Sequence, residues 1–246
     1  LLISLGTPTI SMDARYVYLF SGKIFFYESS LYTFLDGHLA SIVTVRPKLP
    51  PTLSATFAQL IGFWNEIFPK STNVILIFPP IIFLISFFKD KVLILLWLFL
   101  MLFFSGKLFI NGLMDGIIAV YFVASTLIIF KIFTAKIESD KTLLYSIMFL
   151  FFAILSLCKN EGIVMILVIL ISSIFIGFIY EKKINYKLLF TAFVSLCPLF
   201  FWKYIITKSN IKFAWLQYNW IHLENLSEYG DPISRALDRI TNTEDL

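Results

Sequence analysis

Beyond residue 72 the chain alternates between long apolar runs and short polar connectors. The runs cover residues 73–88, 92–104 (extending to 110 around Lys107), 116–133, 143–158, 162–180 and 188–206. A helix that crosses a bilayer needs about 20 mostly apolar residues, with a lower limit of roughly 17. The pattern therefore predicts six spanning helices, the first two of them short. Pro79, Pro80 and Pro198 fall inside the runs. They are expected to kink their helices, which neighbouring helices in a bundle tolerate.

The flanks read differently. In residues 13–27, Asp13, Tyr16, Phe20 and Lys23 recur at near-helical spacing. Pro47, Pro50 and Pro51 predict a rigid, extended stretch that is not helix interior. After it, Leu53, Phe57, Leu60, Ile61, Trp64 and Phe68 repeat every three or four positions among polar residues. Residues 52–68 therefore read as a helix lying in the membrane interface, apolar face down. The tail from 207 onward is polar and carries six acidic residues, Glu224, Glu228, Asp231, Asp238, Glu244 and Asp245. It reads as the start of an extracytoplasmic segment. Three regions result: residues 1–71, 72–206 and 207–246. The fold class is all-α, a polytopic membrane helix bundle with juxtamembrane helices.

Composition strengthens this reading. Of 246 residues, 59% are apolar and only 15% are charged, and the mean hydropathy is +0.85. Soluble domains carry about a quarter charged residues, so a soluble core could not absorb this excess. The first residue is Leu1, and residues 1–10 read as the end of an upstream span, so a longer protein is expected. No signal-peptide pattern is visible. The formal charge of +4 is too modest for a nucleic-acid partner. Cys158 and Cys197 lie in or at the ends of apolar runs and read as packing residues.

Charge sets the orientation, because short cytoplasmic loops collect Lys and Arg. The lysine-rich connectors are 89–91, 131–141 and 181–187. They alternate with the poorer 106–115 and 159–161. The rich connectors are therefore placed in the cytoplasm. Everything before residue 73, the connectors 106–115 and 159–161, and the tail then fall outside.

Three polar sites share that outer side. Asp13-Ala14-Arg15 follows the upstream run; its carboxylate suits a general base or a metal, and equally an interfacial ion pair. Asp115-Gly116 opens a span, where Asp also serves as an ordinary helix cap. Lys159-Asn160-Glu161-Gly162 is a tight charged turn, which a plain connector would also explain.

In order and spacing these features resemble the GT-C membrane glycosyltransferases, which include protein mannosyltransferases and bacterial enzymes that glycosylate lipid A. Asp13-Ala14-Arg15-Tyr16 with Lys23 looks like the first-loop motif of bacterial members. Pro47-Lys48-Leu49-Pro50-Pro51 looks like their proline motif. Asp115-Gly116 and Lys159-Asn160-Glu161-Gly162 fall where such proteins carry a second Asp and a charged turn. The resemblance covers roughly residues 11–206. Met12 and Arg46 depart from it, standing where an aromatic residue and a Tyr often occur.

The resemblance implies transfer of a sugar, a hexose or pentose, from a polyprenyl-phosphate donor. The acceptor would be a lipid, glycan or protein at the extracytoplasmic face of a bacterial inner membrane. It implies Asp13 as catalytic base, with Asp115 orienting the acceptor or sharing a divalent cation with Asp13. Arg15, Lys23, Lys48 and Lys159 would meet the donor phosphate, and Asn160 and Glu161 would complete the substrate contacts. Two other readings fit a multi-span protein. An O-antigen polymerase or ligase would use arginines in a late loop, where Arg235 and Arg239 stand. A transporter or flippase would carry charges near the middle of its spans.

Overall fold

A computed structural model describes residues 14–29, 47–65, 67–110, 113–135, 137–180 and 185–208. Of these, 86% are helical, and none of the described residues lies in a strand. Residues 1–13, 30–46 and the tail from 209 lie outside the described residues. A π-helical turn, Ala14–Leu19, runs directly into α1 (Phe20–Glu28). Then come α2 (Leu49–Ile61), a 3₁₀ turn (Pro69–Ser71), α3 (Thr72–Ile85) and α4 (Lys91–Ile110). The remaining helices are α5 (Met114–Thr134), α6 (Glu138–Cys158), α7 (Glu161–Tyr180), α8 (Tyr186–Ser195) and α9 (Cys197–Lys208).

Four helical segments are long and apolar enough to cross a membrane: Met114–Thr134, Asp140–Cys158, Glu161–Ile179 and Tyr186–Ile205. The first two expected spans are shorter. Thr72–Ile85 has 14 residues, about 21 Å at 1.5 Å per residue, against a hydrocarbon core of about 30 Å. It stops because Ser86 closes the end, its hydroxyl donating to Phe83 O at 2.6 Å. The second counts as an apolar helix over Lys91–Met101, and the backbone stays helical to Ile110. The last expected span is two helices. Leu196 is a turn between α8 and α9, and Pro198 sits in the first turn of α9, where a missing N–H costs nothing.

Of the proline stretch before residue 52, Pro47 and Lys48 lie outside a helix, while Leu49, Pro50 and Pro51 are helical rather than extended. Helix α2 starts at Leu49 with Pro50 and Pro51 in its first turn, the one part of a helix that tolerates proline. It ends at Ile61, short of residue 68, where Gly62 takes φ +91° and its N–H bonds Ala58 O at 2.9 Å. The face it packs against the protein is its small-residue face, and part of the apolar face stays exposed. Pro50, Pro51, Ser54, Ala55 and Ala58 are buried, whereas Leu60 is 80% exposed. Small residues face inward because α1 lies close by. A Cβ on Gly22 would come within 3.1 Å of Pro51 O and of the Trp64 ring.

The spans pack as a serpentine. Tyr121 of α5 bonds Leu76 of α3, and further along Lys131 of α5 lies over Phe83 and Phe87, so α3 and α5 run parallel. Asp115 meets Lys159, and Tyr121 stacks edge-on with Phe151 at 5.1 Å, so α5 and α6 are antiparallel. The core centres on α5 and α6, with Ile117, Tyr121, Ala124, Ile128, Phe152, Leu155 and Cys158 each fully buried.

Proline inside α3 creates a specific debt in this core. Pro80 has no N–H to give to the carbonyl four residues back, that of Leu76. The Tyr121 hydroxyl donates to that carbonyl at 2.8 Å, so a neighbouring helix replaces the lost bond. Tyr121→Phe should therefore destabilise the protein by about 1–3 kcal/mol, the cost of a buried unsatisfied carbonyl. In a Pro80→Ala background, where the helix supplies its own donor, the same change should cost much less. Thermal unfolding of the four proteins in detergent measures the coupling. Equal costs in both backgrounds would show that the hydroxyl does not serve the freed carbonyl.

Candidate functional site

The α6–α7 turn and the start of α5 carry the principal charge cluster. Lys159 leaves α6 in an extended conformation, φ −157° and ψ 151°, and Glu161 opens α7. The turn closes through Gly162 N to Lys159 O at 3.0 Å and Ile163 N to Asn160 O at 3.2 Å. Gly162 is required here by contact: a Cβ would lie 2.0 Å from the Leu155 carbonyl oxygen on α6.

Lys159 Nζ donates to Asp115 Oδ1 at 2.7 Å and reaches Glu161 Oε1 at 3.3 Å. Each charge also suits its helix end. Asp115 and Glu161 lie in the first turns of α5 and α7, and Lys159 follows the last turn of α6. Lys159 is the covered member, its side chain 17% exposed against 49% for Asp115 and 46% for Glu161. Burial alone would push its pKa down. The hydrogen bond and charge of Asp115, joined by Glu161, outweigh burial, and the net shift is upward. One ammonium faces two carboxylates, so the cluster is negative. It therefore offers oriented acceptors to a hydroxyl or a cation, and Lys159 has little charge left for a phosphate.

The other sequence-derived cations sit on the N-terminal helices. Arg15 is exposed on the π-helical turn, and Lys23 is half-buried on α1. Lys48, just before α2, is buried, with its ammonium 5.4 Å from the centre of the Phe25 ring. Burial pulls its pKa from 10.5 down to about 7. Nothing in the pattern of the proline motif announced that burial. Asp13 lies outside the described residues. The structure thus brings Asp115, Lys159 and Glu161 into direct contact, with Asn160 in the same turn, and sets Lys48 against α1. Among the described residues no group of three or more His, Cys, Asp or Glu side chains could hold a metal ion.

Sequence reasoning missed two polar features. Asn73, in the first turn of α3, is buried, and its Oδ1 has no hydrogen-bond partner among the described residues. Asn185 caps α8 by accepting from Leu188 N at 3.1 Å, while its Nδ2 donates to the Tyr145 hydroxyl on α6 at 2.8 Å. An Asn just before an apolar run is a legible cap signal, but its tie to Tyr145 spans 40 residues of sequence.

No protein-family model, curated protein or solved structure matches the chain.

Two pH effects follow from the lysines. Lys159 has a folded pKa above its unfolded value. Its ion-pair contribution is complete below 10.5 and is lost as pH rises through the folded value. Acylation of Lys159 by a small acylating reagent should therefore set in at higher pH than the ordinary lysine value of 10.5 would give. Asp115→Asn should bring that onset down. An onset unmoved by Asp115→Asn would dissolve the pair. Lys48 has the opposite sign. Between about pH 7 and 10.5 the unfolded chain holds the extra proton, so stability rises with pH across that window. Lys48→Met should flatten the rise in thermal midpoint between pH 7 and 9; an unchanged slope would assign it to other groups.

Proposed function

We propose that the chain belongs to a membrane glycosyltransferase of GT-C type, with interfacial juxtamembrane helices, in a bacterial inner membrane. It moves a sugar from a polyprenyl-phosphate donor to a hydroxyl acceptor at the extracytoplasmic face. The observation that carries the reading is the Asp115–Lys159–Glu161 cluster. Its members were singled out from separate connectors as one side of one surface, and they are in contact. The lysine-rich connector 131–141 joins α5 to α6 at the ends opposite this cluster. The exposed apolar side chains of Leu60, Phe63, Ile67 and Phe68, just before the short helix α3, support an interfacial setting for residues 60–68.

In this reading the acceptor hydroxyl attacks the anomeric carbon. The new C–O bond forms as the bond from that carbon to the phosphate oxygen breaks. Polyprenyl phosphate leaves, and the acceptor proton passes to Asp13. Asp115, held by Lys159, orients the acceptor. Arg15 and Lys23 meet the departing phosphate. Lys48, only partly protonated at pH 7, and Lys159, already paired, contribute less to that charge. A transporter would call for charges near mid-span. Among the described residues of the four long segments, the ionisable side chains cluster at the ends.

The test is transfer of labelled sugar from a polyprenyl-phosphate donor by the full-length protein in liposomes. Asp13→Asn should slow transfer by about a hundredfold to ten-thousandfold, the usual contribution of a general base. Asp115→Asn should raise the acceptor KM, and Arg15→Gln the donor KM. Glu138→Gln, at the start of α6, should change nothing. Near-normal turnover by both Asp13→Asn and Asp115→Asn would remove the transferase reading.

A further inference from the structure

Asn73 stands apart from the other buried polar side chains at the outer end of the bundle. It is the second residue of α3 and only 3% exposed, on the buried stripe that continues through Leu76, Ile77, Pro80 and Leu84. Its Oδ1 has no hydrogen-bond partner among the described residues. The neighbouring hydroxyls are already committed. Ser54 of α2 and Thr72 both donate to Pro69 O, at 3.0 and 2.7 Å, so neither has a proton left over. Ser71 turns its hydroxyl back to Phe68 O at 2.6 Å. A buried amide oxygen without a donor is costly, and more so where no water reaches. Residues that break a local rule without compensation inside the fold concentrate at binding sites.

The Tyr121–Leu76 bond fixes the level of this oxygen. Helices α3 and α5 run parallel, and Asn73 lies three residues before Leu76, about 4.5 Å along the axis. That puts it level with the first two turns of α5, where Asp115 stands. The local electrostatics then select the ligand. The lone pairs of Oδ1 repel an anion and call for a donor. The positive end of the α3 dipole disfavours a cation beside it. A neutral hydroxyl meets both conditions, because it donates a proton and carries no charge. In the transferase reading the attacking hydroxyl belongs to Asp13 and Asp115. The remaining source of hydroxyls is the donor's sugar, which arrives from the bilayer on its lipid.

We propose that Asn73 is a specificity-determining residue whose amide oxygen accepts a hydrogen bond from a hydroxyl of the sugar on the polyprenyl-phosphate donor. That hydroxyl takes no part in the reaction; its bond to Asn73 distinguishes one sugar from another. The inference rests on the transferase reading for its choice of ligand, and its test needs no turnover.

The measurement is thermal stabilisation of the full-length protein in detergent by bound ligand. The probes are bare polyprenyl phosphate and the same carrier bearing glucose, galactose, mannose or arabinose. At least one sugar should raise the midpoint above that with the bare carrier, by about 3 °C or more. Asn73→Leu keeps the branched shape without the oxygen, and Asn73→Ala adds no bulk. Either should erase the sugar's increment and retain the effect of the bare carrier. A deoxy form of the preferred sugar, lacking the hydroxyl bound by Asn73, should lose the same increment on the parent protein. Ser125→Ala removes another buried oxygen without a partner among the described residues, deeper along α5, and should keep the increment. Equal stabilisation of the parent by sugar-bearing and bare carriers would overturn the proposal, as would an increment that survives both Asn73 substitutions or the Ser125 substitution alone erasing it. Loss of the bare carrier's effect together with the sugar's would give Asn73 a purely structural role and also overturn it. Absent turnover with the sugar increment intact would instead remove the transferase reading and leave the sugar contact standing.

Discussion

In hydrocarbon, a backbone N–H or C=O without a partner costs several kcal/mol, because no water replaces the lost bond. Helix α3 breaks the local bonding pattern with two internal prolines, Pro79 and Pro80, and Pro80 leaves the Leu76 carbonyl without its helical donor. There the debt passes to Tyr121 of α5, whose hydroxyl serves the Leu76 carbonyl. One bond thereby ties the axial position of α3 to α5. With the stagger set, Lys131 comes to rest over Phe83 and Phe87 further along the same pair. Phe151 of α6 then packs against both Phe83 and Tyr121, at 5.9 and 5.1 Å. The core of three helices is keyed to that contact.

The charged end follows from the same packing. Antiparallel α5 and α6 put the first turn of α5 beside the last turn of α6. Asp115 and Lys159 meet there across 44 residues of sequence. Such an exposed pair contributes about 0–1 kcal/mol at most, so stability alone gives it little weight. Its other consequence is geometric. It holds a carboxylate in one place at the end of the bundle, and the Gly162 turn against Leu155 holds the cation opposite. Helix capping and substrate orientation ask for the same residues, and only activity separates them.

The opposite end has a different character. There an open cavity lies between α5 and α7, and Lys131, on the α3 side of α5, rests on the rings of Phe83 and Phe87. A negative cluster at one end and a cation at the other make the bundle chemically polar along its axis. This agrees with the lysine asymmetry of its connectors.

Apolar run lengths by themselves determined the helical class and the positions of the later helices, because hydrocarbon leaves a chain few other choices. The alternation of lysine-rich connectors likewise predicted which connectors share a side. Asp115 and the Lys159 turn were legible as neighbours in level, since both open or close a run. Their contact was not, because lateral placement depends on which helix packs beside which. The start of α2 at Leu49 was hidden, since the same prolines fit an extended stretch and a first helical turn equally well. Burial of Lys48 was hidden too, because a single lysine between prolines carries no periodicity. The Tyr121 bond and the groove between α5 and α7 were decided only by tertiary structure. Each depends on the stagger and splay of helices distant in sequence, and no local pattern encodes those.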